Sequence, residues 1–221
     1  MNDFLNIEGK YYKMATNLGD IVLVGILWTI FSLPMITIGA TTTALYYVCT
    51  KKNSGRDEYI FKGFLRSFKK DFAKSSSIFA LLVFVFFMVW LNINLLPTMN
   101  WGELSIVVYV ALYFMLIQAI FVTMYVFPLV SRFELSVLGA LKSAFFMSNK
   151  HLIVTFTNLA LLIALVYASI FLPFLIILTM GFYIYLSSFL FVKVFRKHHL
   201  NFDEPTHTDA NASDLSDIKS H

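Results

Sequence analysis

Cysteine and charge are the scarce materials here: Cys49 is the single cysteine among 221 residues, and only 14% of residues are Asp, Glu, Lys or Arg. A lone thiol cannot close an internal disulfide, and it argues against a thiolate-rich metal site. The chain has no Walker-type glycine loop, no HExxH, no Gly-x-Ser-x-Gly and no Cys/His ligand set. The expectation is therefore no enzyme, with no catalytic residue, no cofactor and no metal ligand. His198 and His199 are neighbours only in sequence, and adjacent side chains on a helix point in different directions. Prolines number five and glycines nine, so each is informative where it falls.

What is abundant is apolar surface. A composition 58% hydrophobic and 17% aromatic, with mean hydropathy +0.74, exceeds what one soluble core of this length would bury. The fold class expected is all-α, a polytopic membrane helix bundle, because backbone groups in lipid must bond internally. Runs long enough to cross about 30 Å of hydrocarbon cover roughly 18–48, 75–96, 104–130, 152–172 and 174–194. Residues 1–197 then form a single membrane domain, followed by a polar tail, 198–221, whose Asp, Ser, Thr and Asn content reads as solvated and disordered. The first 17 residues carry Asp3, Glu8, Lys10 and Lys13 rather than a short basic head before an apolar core, so the first apolar segment is expected to be retained.

The basic residues set the expected orientation. Lys51, Lys52, Arg56 and Lys62 to Lys74 fall between the first two spans, Arg132, Lys142 and Lys150 between the third and fourth, and Lys193, Arg196 and Lys197 after the fifth. The intervening loops 97–103 and 173 carry none. Both long loops and the C-terminus are accordingly expected in the cytoplasm. Five spans would leave the N-terminus outside. The net charge of +4 follows from this topology, and no nucleic-acid partner is expected.

Residues 18–48 are the difficult segment: one straight helix would measure about 46 Å, too long for a perpendicular span and too short for two. Pro34 and Gly39 fall within it, so a kinked or broken helix is expected, with Pro34→Ala straightening it. The hydroxyls of Thr37, Thr41, Thr42 and Thr43 can bond carbonyls freed by the break, and the Gly39/Thr43 and Ala40/Ala44 pairs admit a neighbouring helix. A packing kink and a broken helix lining a substrate path both account for the pattern.

These residues also carry a resemblance. An Asp-containing entry into Trp28, then Ser32-Leu33-Pro34, Thr37-Ile38-Gly39-Ala40 and Thr43-Ala44-Leu45-Tyr46-Tyr47, with a basic loop holding Tyr59, Phe64 and Phe68-Lys69, resembles the YesL family of small bacterial membrane proteins. Thr41 departs from that family's usual serine but keeps a hydroxyl. The resemblance implies a context, since such proteins are often encoded beside carbohydrate importers of the ATP-binding-cassette type. It implies no mechanism.

Elsewhere, Tyr59 to Lys74 sets Ile60, Phe61, Phe64, Leu65, Phe68 and Phe72 at helical spacing with Lys62, Arg66, Lys69 and Lys70 outside the stripe, an interfacial basic helix that meets the lipid bilayer or a partner. Ala160, Ala164 and Ala168 recur every four residues and are expected to pack the fourth span centrally. The bulky second span suits the periphery, and Trp101, Tyr46 and Tyr47 fit an interfacial aromatic belt. A shift of 76 residues aligns Gly63, Leu65, Ser67, Lys74, Leu96 and Pro97 with Gly139, Leu141, Ser143, Lys150, Leu172 and Pro173, the order of a duplicated unit in one orientation. No ionisable residue lies near the middle of a span, which disfavours proton pumping. The neutral Asn92, Asn94, Gln118, Thr155, Thr157 and Asn158 suit interhelical hydrogen bonds or an uncharged path for a sugar. Two functions are expected: an accessory or regulatory component of carbohydrate uptake that meets permease or ATPase subunits, which the resemblance implies, or an autonomous small-solute transporter or channel, which the broken first span and neutral polar residues suggest.

Overall fold

The computed structural model describes residues 19–54, 59–95, 104–171 and 176–197. Expectations on Leu96, Pro97, Trp101, Leu172, Pro173, His198, His199 and the polar tail lie outside them. Among the described residues the chain is all-α: α1 (Gly19–Phe31), a 3-10 turn (Met35–Thr37), α2 (Ile38–Asn53), α3 (Ile60–Leu95), α4 (Leu104–Val130), α5 (Val137–Lys150), α6 (Leu152–Phe171) and α7 (Ile176–Lys197). Three of these, α3, α4 and α6, are long and apolar enough to cross a membrane, fewer than the five spans expected.

The first expected span is two helices. Thr41 Oγ1 donates to the Phe31 carbonyl at 3.1 Å, Trp28 Nε1 donates to Thr42 Oγ1 at 3.3 Å, and Lys52 pairs with Asp20. Residues 20 and 52 would lie about 48 Å apart along one straight helix. Contacts beside the reversal and at the far end of the arms therefore make α1 and α2 an antiparallel hairpin. Pro34 does not kink a helix; it stands in the reversal, where its lack of an N–H costs nothing and it precedes the 3-10 turn. At 13 and 16 residues, about 20 and 24 Å, neither arm matches the hydrocarbon thickness.

The second expected span is the continuation of the basic helix. Charge ends and apolar sequence begins at Ser75-Ser76-Ser77, yet α3 runs unbroken for 36 residues, because Ser77 bonds back to the Ala73 carbonyl and Ser75 bonds Thr43 across to α2. The apolar stripe of its first half faces protein as well as surroundings. Phe64 is fully buried and, with Phe68, holds the Phe31 ring edge-on at centroid distances of 4.9 and 5.3 Å. Phe61 and Phe72 stay exposed, as do Lys62, Lys69 and Lys70, while Arg66 is half-buried. Lys70 reaches Glu134 at 2.7 Å, tying this basic segment to the turn before α5.

The hub of the bundle is α2. Every residue from Gly39 to Thr50 except Thr42 is buried, against α3, α4 and α7. Tyr46 and Tyr47 lie in that core, not in an interfacial belt, because the hairpin carries them between helices. The expected central role of α6 is also corrected: Ala160, Ala164 and Ala168 are on its exposed side, and the face turned inward carries Thr155, Asn158 and Ser169. On α3, Phe84, Phe87 and Trp90 are exposed as the bulky pattern suggests. The two units related by the 76-residue shift differ in one respect. The basic segment joins its span without interruption in α3, whereas His151 separates α5 from α6.

Candidate functional site

The reversal at residues 32–37 leaves carbonyls open at the end of α1, and the threonines answer them. Thr37 Oγ1 donates to the Phe31 and Pro34 carbonyls, and Thr41 Oγ1 adds a second bond to Phe31. Thr42 accepts from Trp28, and Thr43 accepts from Ser75 Oγ at 3.0 Å. Thr37, Thr41 and Thr42 thus tie the chain after the reversal to the chain before it, and Thr43 ties α2 to α3. Where apolar neighbours replace water, an unpaired carbonyl costs several kcal/mol, so this set makes the turn tenable.

Two glycines set how closely helices approach. A Cβ at Gly39 would stand 2.5 Å from the Ser75 carbonyl oxygen and 2.7 Å from Phe79 Cβ; one at Gly181 would stand 2.7 Å from both Cα and N of Gly25. Hydrogen therefore fits at these positions and carbon does not.

Beneath the hairpin lies a cavity of about 260 Å³. Trp28 of α1 and Ile38, Thr42 and Tyr46 of α2 form one side; Phe79 and Phe86 of α3 another. Thr123 and Met124 of α4, Leu162 of α6, and Met180 and Tyr183 of α7 complete its wall, which stays partly open to the surroundings. Its polar wall groups are engaged within the protein: Thr42 with Trp28, Thr123 with the Ala119 carbonyl at 2.8 Å, and Tyr46 with Ser187 at 3.1 Å. Tyr183 neighbours the Tyr46 and Ser187 hydroxyls.

Behind this wall a buried polar cluster links four helices. Tyr125 of α4 bonds Thr155 of α6 at 3.0 Å, and Thr155 also donates to the Ser148 carbonyl. Asn158, one turn on, is fully buried with the Tyr183 hydroxyl as its polar neighbour, yet neither its Nδ2 nor its Oδ1 makes a hydrogen bond of full geometry. The other neutral polar residues are spent locally or stand apart. Asn92, Asn94 and Thr157 bond back to the Met88, Trp90 and Ile153 carbonyls of their own helices, and Gln118 Nε2 has no partner. They do not form a polar path with Asn158. Tyr183, Ser187, Thr123 and the two methionines were not among the residues singled out from sequence. Gly181, Ser187 and Ser188 in an apolar run were the available signal on α7, a small or hydroxyl residue where lipid contact would favour bulk.

The arrangement defines a helical membrane protein built around a hairpin and an apolar cavity, with large apolar residues such as Val107, Phe114, Ile153 and Ile163 exposed on its outer helices. Residues 21–93 match the family described as "Protein of unknown function, DUF624". The matched stretch covers the hairpin and nearly all of α3, the elements that the threonines and Gly39 lock together. No curated protein matches the chain, and no solved structure does.

Proposed function

We propose that the protein is an accessory or regulatory component of carbohydrate uptake in the bacterial cell membrane, meeting permease or ATPase subunits of an importer. The carrying observation is the chemistry of the cavity wall. A sugar needs several convergent donors and acceptors, and this wall offers apolar side chains and hydroxyls already engaged within the protein. A YesL-like context of carbohydrate import then favours contact with the importer over transport of the sugar by this chain. The basic, aromatic first half of α3, with Phe61, Lys62, Lys69 and Lys70 exposed, is the surface suited to a cytoplasmic partner.

In the same reading α7 is a fourth crossing, since its 22 residues extend about 33 Å. The hairpin returns the chain to the side it came from. Asp20, the basic loops and the C-terminus then share the cytoplasmic side, in agreement with the distribution of Lys and Arg.

Affinity purification of the tagged protein from native membranes in mild detergent, with quantitative mass spectrometry, is expected to enrich permease or ATPase subunits over an unrelated membrane protein. Lys62→Glu/Lys69→Glu/Lys70→Glu should reduce that enrichment severalfold. Recovery of the protein alone, together with sugar flux in proteoliposomes containing only this chain, would replace this reading with the transporter.

A further inference from the structure

We infer that the cavity beneath the hairpin seats one acyl chain of a membrane phospholipid. Three observations carry this. First, Phe86, Ile120 and Leu162 of its wall belong to helices long and apolar enough to cross a membrane, so the surrounding medium that can reach it is hydrocarbon. Second, water is a poor occupant: a buried water needs two to four polar partners, and the wall hydroxyls of Thr42, Thr123 and Tyr46 are already bonded within the protein. Third, the size fits. A volume of about 260 Å³ accommodates roughly nine groups the size of a water or methylene at about 30 Å³ each, which is a length of chain and not a whole lipid.

The wall also suits a flexible occupant, because Met124 and Met180 present unbranched, polarisable side chains that adapt to an irregular chain. Seated there, the chain touches α1, α2, α3, α4, α6 and α7 together and braces the hairpin against the crossing helices. The head group stays outside. This role is independent of any importer.

The test uses full-length protein in nanodiscs of a phospholipid bearing a diazirine near the end of one acyl chain. After irradiation, adducts on Ile120, Met124, Met180 and Ile184 are expected at higher yield than on the outward Val107 and Phe114 of α4. Leu162→Trp, which fills the cavity, should lower the inner adducts severalfold and leave the outer ones unchanged; Thr123→Leu, a smaller change, should lower them less and serves if the tryptophan variant does not fold. Adducts confined to outward residues, or inner adducts unaffected by both substitutions, would overturn the proposal. So would labelling of the inner residues by an isoprenoid diazirine but not by the acyl probe.

Discussion

Gly39→Ala is expected to lower the apparent melting temperature sharply and to cost most of the monodisperse yield, with Gly181→Ala close behind. The added methyl at Gly39 has nowhere to go, because the atoms it meets are the Ser75 carbonyl at 2.5 Å and Phe79 Cβ at 2.7 Å, neither the far end of a flexible side chain. Moving α3 away also lengthens the Thr43–Ser75 bond. At Gly181 the obstruction is backbone on all sides, Gly25 and the Ile21 carbonyl. Overpacking of this kind costs about 1–3 kcal/mol and sometimes more. In lipid there is little hydrophobic gain from helix association to offset it, because the packing itself holds the helices together. Gly19→Ala is the matched control, with nothing within 4 Å of the added carbon. Thermal unfolding followed by size-exclusion retention checks all three; a Gly39→Ala melt equal to that of Gly19→Ala would mean that α2 and α3 do not meet as closely as described.

Asn158→Leu is expected to do the reverse and stabilise the protein. The side chain is fully buried and neither amide atom makes a hydrogen bond of full geometry, the Tyr183 hydroxyl being its polar neighbour, so its desolvation is incompletely compensated. Leucine is of similar size and carries no such penalty. Relieving an unsatisfied buried polar group is worth about 1–3 kcal/mol, which for a chain of this length corresponds to a rise of about 2–4 °C per kcal/mol. Asn158→Ala separates polarity from volume: it removes the same amide but leaves a void, and should melt below Asn158→Leu. A fall in melting temperature for Asn158→Leu would mean that the amide has a partner in the membrane that outweighs its burial.

Hydropathy made much of the helical architecture legible beforehand. The run expected at 104–130 is α4 at both ends, and that expected at 152–172 is α6 to within a residue. Long, uniformly apolar segments leave a helix no choice of boundary. The failures share a cause, which is that apolarity carries no sign of direction. Residues 18–48 read as one run because a reversal between two apolar arms leaves hydropathy unchanged, and Pro34 marks a kink or break in that run without showing that the chain turns back. The excess length was the available clue, since 31 residues suit two short arms better than one span. At Ser75–Ser77 the opposite error arises: a change in composition reads as a break, although a serine that bonds backward, as Ser77 does to the Ala73 carbonyl, leaves a helix continuous.

Periodicity of small residues misled in a similar way. Ala160, Ala164 and Ala168 repeat correctly for a packed face, but the same helix has a second stripe, Thr155, Asn158, Leu162 and Ser169, and that one turns inward. Sequence spacing identifies stripes; it does not rank them when a neighbour supplies hydroxyl partners. Tyr125, with its bond to Thr155, was the deciding feature and lies 30 residues away. The cavity was illegible for the same reason, since its wall draws on six helices.

The central claim is that the first apolar stretch doubles back. It is tested most directly by pulsed electron–electron spin resonance on nanodisc-embedded protein with Cys49→Ser and spin labels at Val22 and Lys51. The hairpin places these positions side by side, so a distribution centred below about 20 Å is expected, whereas a straight or gently kinked helix over the same 29-residue separation would put them about 40 Å apart. A dominant distance near the longer value would contradict the hairpin, and with it the shared side of Asp20 and the basic loops.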